Sequence, residues 1–177
     1  MSATIDPRLN VIVMGGVAGS GKSTVGAALA RRLGWVYAEA DEFHPAANVE
    51  KMSAGIPLTD EDRAPWLAKI AAYIAEVCTR GDHAVVSCSA LKRAYRKTLV
   101  GDLGAHVRVV LLNGEEGQIA ARLQSRHGHF MPPSLLKSQI ATLELPEDPS
   151  DAQVVPVGGP PDTVVQRVMQ VLLDQNP

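Results

Sequence analysis

A glycine-rich segment near the N-terminus carries the residues best suited to chemistry in this chain. Residues 16–23 read GVAGSGKS, which fits the pattern G-x-x-x-x-G-K-[S/T] at every position. In that pattern backbone N–H groups wrap a row of phosphates, and the start of the following helix adds partial positive charge. Lys22 is expected to reach the β- and γ-phosphates, and the Ser23 hydroxyl to bind Mg²⁺. The segment predicts a nucleoside triphosphate site of the P-loop type.

The predicted nucleotide site covers the whole segment and one residue beyond it. A glycine-rich turn that matches by chance is the alternative, but the segment lies between a buried apolar run and a helical pattern, as the motif requires. The predicted ATP-binding residues of the segment are Gly16, Val17, Ala18, Gly19, Ser20, Gly21, Lys22, Ser23 and Thr24.

Two acidic residues end the next apolar run, WVYAEAD, at positions 39 and 41. A carboxylate at the tip of a strand beside a phosphate site can accept a proton from an attacking hydroxyl or help to hold Mg²⁺. Asp41 is therefore predicted to be catalytic, with a helix N-cap as the alternative. For Glu39, a supporting role and a merely solvated one fit the sequence equally well.

Apolar runs alternate with helical patterns along the chain, which predicts an α/β fold. Strands are expected at 11–15, 35–41, 84–90, 106–114 and 152–157, the last at an edge or strand end because of Pro156. Helical patterns cover 22–33, the stretch from 67 to a stop at Gly81, a basic stretch after residue 90, the neighbourhood of Ile119, and 163–173. This order predicts a parallel sheet of about five strands with helices on both faces and ligands beyond the carboxyl ends of the strands.

Length and composition limit the class of protein. A chain of 177 residues predicts one domain, 1–177, since single cores typically hold about 100–200 residues. The net charge of −2 argues against a nucleic-acid partner, which needs a clustered basic surface. Cys78 and Cys88 are expected to be reduced thiols. The first apolar run is too short for a signal peptide or membrane span, so a soluble cytoplasmic protein without a membrane partner is expected.

Motifs that are missing from the sequence narrow the kinds of P-loop protein. It has no Asn/Thr-Lys-x-Asp segment of the kind that reads guanine in GTPases. Its third predicted strand runs VVSCSA instead of ending in the Asp-Glu pair of motor ATPases, and the chain is too short for a motor. A compact phosphotransferase, with a second substrate across the strand tips, is the class that remains.

Four separated motifs then resemble the gluconate kinase (gluconokinase) family. The first two are D-x-x-H-P-x-x-N-x-x-K-M at 41–52 and G-x-P-L-x-D-x-D-R-x-P-W-L at 55–67. The others are CSALKRAYR at 88–96 and the arginine-containing segment 122–146, which is similar to the lid of that family. The resemblance spans about residues 10–146, and Ala40, where many members carry Gly, leaves the neighbouring acid in place.

The resemblance implies a three-layer P-loop kinase fold with a helical lid at about 122–146. It also implies ATP-dependent, Mg²⁺-assisted phosphorylation of D-gluconate on its 6-hydroxyl, in a protein that is often a homodimer. Asp41 would be the base for that hydroxyl. Lid arginines would neutralise the transferring phosphoryl group, and Arg122 and Arg126, four residues apart on one predicted helix face, are the candidates.

The chemistry of gluconate suggests the remaining substrate-binding residues. Gluconate is a linear polyol with a carboxylate at one end and a primary hydroxyl at the other. Arg63, Lys92 and Arg96 are candidate cations for the carboxylate, and His44, Ser89 and His129 are candidates for its hydroxyls. Lys92 and Arg96 are favoured within their basic stretch because they lie one helical turn apart.

Two other functions fit the same P-loop. One is another small-molecule kinase on this scaffold, such as a shikimate or nucleoside monophosphate kinase, which the motifs at 44–66 and 88–96 disfavour. The other is an ATP-binding module that senses a ligand without phosphorylating it, which the intact Lys22, Ser23 and Asp41 disfavour.

Overall fold

A parallel sheet forms the centre of the molecule in a computed structural model that describes residues 4–125 and 133–174. Within these residues the sheet has five strands in the order β2-β3-β1-β4-β5, all paired in parallel. The strands are β1 (Val11–Gly15), β2 (Val36–Glu39), β3 (Ala84–Ser87), β4 (Val107–Asn113) and β5 (Gln153–Pro156). The predicted α/β class is confirmed, and Pro156 ends an edge strand as expected.

Helices cover both faces of this sheet. They are α1 (Lys22–Leu33), α2 (Ala46–Ser53), α3 (Asp60–Arg80), α4 (Arg93–Val100), α5 (Glu116–Gln124), α6 (Pro133–Thr142) and α7 (Pro161–Leu173). Strand β1 alternates between two cores: Val11 and Val13 pack with α3 to α6, while Ile12 and Met14 pack with α1 and α7. All five residues of β1 are buried, which explains their continuous apolar character. The strand is therefore a fixed support for the loop that follows it.

Helix α3 begins seven residues earlier than the apolar pattern predicts, at Asp60 instead of Leu67. The Thr59 side chain accepts a hydrogen bond from Asp62 N–H, and the Asp62 carboxylate accepts one from Thr59 N–H, so a capping box starts the helix. The first turn of α3 is polar, so hydrophobic periodicity does not predict it. Its C-terminus is as expected, since Gly81 has the left-handed φ of 69°.

The polar stretch after β2 also contains structure that its composition does not predict. Strand β2 ends at Glu39, and a 3₁₀ turn over Ala40–Phe43 and helix α2 follow it. The buried Trp66 indole donates a hydrogen bond of 2.7 Å to the carbonyl of Ala40, which ties the turn to α3. This places Asp41 at the sheet edge where ligands of such folds bind.

Two further sequence expectations concern thiols and membranes. Cys78 and Cys88 are free thiols, and burial raises the pKa of Cys88 to about 12. Among the described residues, no helix combines the length and the apolar character needed to cross a bilayer.

Candidate active site

A cleft beyond the carboxyl ends of β1, β2 and β3 brings together residues from four separate parts of the sequence. The predicted site residues that line it are Lys22, Ser23, Asp41, His44, Arg63 and Ser89, with Ala18, Gly19 and Gly21 of the loop. The loop follows β1, Asp41 follows β2 and Ser89 follows β3, while Arg63 comes from the first turn of α3. Parallel strands end at the same edge, which is why these distant residues share one cleft.

The loop at 16–23 has the backbone shape that a phosphate cradle requires. Gly16 has φ 133°, and a Cβ there would lie 2.6 Å from the carbonyl oxygen of Leu112. Gly19 has φ 79°, and a Cβ there would lie 2.8 Å from Leu123 Cγ. Both positions therefore need glycine for conformation and for space. Lys22 Nζ donates to the Val17 carbonyl at 3.3 Å, so the lysine folds back over the loop.

The carboxylate of Glu39, for which the sequence alone does not decide a role, lies against Ser23 of the loop. Ser23 Oγ donates to Glu39 Oε2 at 2.6 Å, and the Tyr37 hydroxyl donates to the same oxygen at 2.6 Å. Burial, followed by the hydrogen bond to Glu39, raises the pKa of Tyr37 to about 12, so this hydroxyl stays a donor. Two donors on one oxygen fix the position of the Glu39 carboxylate. Its proximity to Ser23 depends on strand β2 lying next to β3, which the local sequence does not show.

His44 is held as a neutral imidazole in the wall of the cleft. Its ring stacks on Trp66 with the centroids 4.1 Å apart and an interplanar angle of 11°. Asn48 Nδ2 donates to the Asp62 carbonyl at 2.9 Å and lies 3.2 Å from His44 Nδ1. The amide nitrogen must therefore face the ring, so Nδ1 accepts and the proton is assigned to Nε2. Burial, with the nearby charge of Arg63, lowers the pKa of His44 to about 4.

Three cations are candidates for binding the substrate carboxylate, and of these Arg63 is the one that lines the cleft. Its Nη1 donates to the Tyr95 hydroxyl at 3.1 Å, and its guanidinium carbon lies 5.6 Å from the centre of that ring. Tyr95 in turn donates to Asp60. Lys92 Nζ contacts the Asp60 carboxylate at 3.1 and 3.2 Å and is not among the described residues that line the cleft. The hydrogen bonds from Tyr95 and then Lys92 lower the pKa of Asp60.

The prediction that Arg96 binds the substrate carboxylate is wrong. Its side chain is 0% exposed and forms an ion pair with Asp151, with Nη2–Oδ2 at 2.7 Å and Nε–Oδ1 at 3.0 Å. Its Nη1 donates to the carbonyls of Ala90 and Leu91 at 3.0 and 3.1 Å. The guanidinium is thus buried and committed within the protein. Helical spacing related Arg96 to Lys92 but could not reveal a partner 55 residues away.

A second cavity adjoins the outer side of the loop. It is lined by Gly19, Gly21, Thr24, Val25, Arg122, Ser125, Gly159, Pro161 and Val164. Arg122 Nη2 donates to the Val157 carbonyl at 2.9 Å, which holds the side chain against the β5–α7 connection. Thr24 and Arg122 therefore line one cavity with Gly19 and Gly21 of the phosphate loop. The predicted residues Arg126 and His129 lie outside the described residues.

Gln139 is a cleft residue that the sequence analysis did not select. It lies on α6, and its Oε1 accepts a hydrogen bond of 2.7 Å from the backbone N–H of Ala18 in the loop. Ser138-Gln139 belongs to the family pattern of the predicted lid segment 122–146, but that pattern does not predict a contact between this amide and the phosphate loop.

The fold and the cleft together define a small P-loop kinase, with a phosphate cradle facing an acceptor site. A family model described as an AAA domain matches residues 11–146. The chain is 50% identical over 168 residues to a gluconokinase of Gluconobacter oxydans (strain 621H), covering 94% of this chain and 92% of that protein. The chain belongs to the gluconokinase family of P-loop kinases, which confirms the resemblance seen in its motifs.

Two solved structures are similar over nearly the whole chain. A gluconokinase from Sinorhizobium meliloti 1021 has a TM-score of 0.83 and 44% identity, covering 96% of this chain and 93% of that one. A sugar kinase from Janibacter sp. HTCC2649, solved without ligand, has a TM-score of 0.85 and 40% identity, covering 96% of each chain. Both comparisons confirm the predicted P-loop kinase fold.

Proposed function

We propose that this protein transfers the γ-phosphoryl group of ATP to the 6-hydroxyl of D-gluconate, giving ADP and 6-phospho-D-gluconate. The observation that carries the proposal is the shared cleft, which is lined by the phosphate loop with Lys22, by Asp41 and by Arg63. A linear sugar acid needs a base at one end and a cation at the other. The relatives named gluconokinase support the same substrate.

Arg63 is proposed to bind the carboxylate of gluconate. Its planar guanidinium offers two parallel N–H groups to a carboxylate, and Tyr95 fixes it from one side. Lys92, held by Asp60 beside the same tyrosine, adds positive charge without direct contact. His44, neutral near pH 7 with its proton on Nε2, is proposed to donate to a hydroxyl, and Ser89 to bind another.

Asp41 is proposed to activate the acceptor hydroxyl. Its carboxylate is exposed to the cleft, where a bound 6-hydroxyl can reach it. As the bond from O6 to the γ-phosphorus forms and the bond to the β–γ bridging oxygen breaks, the hydroxyl proton passes to Asp41. Lys22 and the loop N–H groups hold the phosphates in line, so positioning supplies much of the rate enhancement.

The residues around Ser23 fit a magnesium ion. Ser23 Oγ and the Glu39 carboxylate lie 2.6 Å apart and are the oxygen ligands that Mg²⁺ prefers. Among the described residues no group of three or more His, Cys, Asp or Glu side chains could hold a metal, so phosphate and water oxygens would complete the coordination. When bound, Mg²⁺ would neutralise part of the charge of the triphosphate and so favour transfer. Ser23 and Glu39 are the proposed protein ligands, directly or through water.

The adenosine part of ATP is proposed to occupy the second cavity, beside Thr24 and Arg122. Arg126 is proposed to neutralise the transferring group and His129 to bind gluconate, both as implied by the family motif at 122–146. A single kinase domain, a homodimer and a cytoplasmic location are proposed on the same resemblance. Light scattering on the purified protein tests the dimer.

The proposed function is tested by ADP release with Mg-ATP and a panel of acceptors. The panel contains D-gluconate, related sugar acids, shikimate, AMP, CMP and a control without acceptor. We expect release with gluconate well above all others. ADP release with another acceptor would show that the protein is a kinase with a substrate other than gluconate. ATP binding without ADP release with any acceptor would favour the sensing module.

The Asp41→Asn variant separates an enzyme from a sensor. We expect its kcat to fall by about 10²–10⁴-fold, the usual contribution of a general base, with the Kd for ATP retained. Asp102→Asn, the same change at an exposed residue after α4, is the matched control. Equal kcat in both variants would reject Asp41 as the base.

A further inference from the structure

A side chain of helix α6 accepts a hydrogen bond from the backbone of the phosphate loop. Gln139 Oε1 accepts a hydrogen bond of 2.7 Å from the backbone N–H of Ala18, a residue 121 positions earlier. Leu135 and Leu136, one helical turn before Gln139, are 3% and 4% exposed, so the helix that carries the amide is itself packed. The Gln139 side chain is therefore carried by a packed helix and lines the same cleft as Lys22 and Asp41.

The chemistry of this contact determines which way the amide faces. A backbone N–H can donate only to the oxygen of the amide, so Oε1 faces Ala18 and the two Nε2 protons belong to the opposite end. Ala18 lies in the loop whose N–H groups wrap phosphates, next to Gly19. An amide anchored there holds hydrogen-bond donors at the boundary between the phosphate loop and the acceptor side of the cleft.

We propose that Gln139 is a catalytic residue that donates from Nε2 to an oxygen of the phosphoryl group in transfer, while its Oε1 keeps α6 on the loop. The inference rests on the proposed kinase function. Negative charge spreads over the equatorial phosphoryl oxygens in the transition state, so a preorganised donor there raises kcat more than it tightens ATP binding. Neither the P-loop motif nor the acid at the end of β2 supplies this donor.

The Gln139→Glu variant separates this role from simple docking of the helix. A carboxylate still accepts the Ala18 N–H, so a structural role is preserved, but it lacks the donor and repels the phosphoryl group. We expect kcat to fall by about 10²–10³-fold near neutral pH, the cost of losing one donor of this kind. As the pH is lowered towards the ordinary carboxyl pKa of about 4.3, protonation restores a neutral donor, so the ratio of variant to wild-type kcat should rise.

The experiment compares kcat, KM for gluconate and Kd for ATP in four proteins between about pH 8 and about pH 5.5. These are the wild type, Gln139→Glu, Gln139→Met, which keeps side-chain length without either polar end, and Gln166→Glu, an exposed control on α7. We expect both Gln139 variants to lose kcat by a larger factor than Kd for ATP rises, and only Gln139→Glu to recover kcat at lower pH. Thermal unfolding of each variant checks that the fold is intact.

Two outcomes would overturn the inference. One is a Gln139→Glu variant with kcat equal to that of the Gln166→Glu control, which would leave Gln139 a docking contact only. The other is a ratio of variant to wild-type kcat that does not change with pH. Measurements on the wild type distinguish failure of this inference from failure of the proposed function. If ADP release requires an acceptor other than gluconate, the substrate assignment fails. The same four proteins assayed with that acceptor then still test Gln139.

Discussion

Among single residues, Arg63 is the one on which the substrate assignment depends most. Arg63→Met should raise KM for gluconate by about 10–100-fold, since hydrogen bonds to a charged group contribute about 1.5–3 kcal/mol, with Kd for ATP unchanged. Arg63→Lys should recover only part of this, because an ammonium lacks the planar fork. Arg93→Met, at an exposed position on α4, is the control. A larger rise in KM from Lys92→Met than from Arg63→Met would assign the carboxylate to Lys92 instead.

His44 makes a prediction about stability and pH. Its pKa is lowered from 6.5 to about 4, mainly by burial, so between these values the unfolded chain binds a proton that the native protein does not. The free energy of unfolding should therefore fall as the pH decreases from about 6.5 to about 4, and level off below that range for this group. Urea unfolding of wild type and His44→Gln measures the difference. Parallel pH profiles for the two proteins would contradict the lowered pKa.

Among the elements, the turn between β3 and α4 depends on a long-range clamp. Ala90 has a left-handed φ of 47°, unusual for a residue with a side chain, and its carbonyl is held by Arg96. The preceding residue, Ser89, lines the cleft, and its carbonyl accepts from Gly16 N–H at 3.0 Å. The pair of Arg96 and Asp151 thus supports both the turn and the entry to the phosphate loop.

Replacing one partner of this ion pair should lower the free energy of unfolding more than replacing both partners. Arg96→Met leaves a buried carboxylate without its partner, which typically costs about 3–5 kcal/mol of stability. The double variant Arg96→Met/Asp151→Leu should recover most of that loss, since apolar groups of similar volume can replace a buried pair. Urea unfolding measures which of the two variants has the higher free energy of unfolding. A double variant no more stable than the single one would show that the clamp on the carbonyls, and not the ion pair, stabilises the turn.

In the whole molecule, nucleotide binding should be coupled to stability. A ligand that binds only the folded state at about 100 times its Kd adds about 2.7 kcal/mol to the free energy of unfolding. Mg-ATP should therefore raise Tm of the wild type, and Lys22→Ala should show a smaller rise at the same concentration. Lys97→Ala, exposed on α4, is the control. An equal rise in Lys22→Ala would place the nucleotide away from the loop.

Much of the fold and part of the site could be predicted because their signals are local. The glycines and Lys22 of the loop act through the backbone around them, and β1 and α1 follow directly from apolar runs and helical spacing. Asp41 could be selected because an acid at a strand end reaches the ligand edge in any such sheet. The first turn of α3 was missed since capping boxes carry no hydrophobic period.

The sequence by itself determined the class of chemistry: a phosphate cradle with a lysine, a candidate base, and a family pattern for the acceptor. Only the tertiary structure decided which side chains reach the cleft. It buried Arg96 against Asp151, kept Arg63 at the cleft, placed Glu39 beside Ser23 and brought Gln139 to Ala18. The reason is physical: a motif acts through neighbours in the chain, whereas burial and ion pairing depend on residues that folding brings together from distant positions.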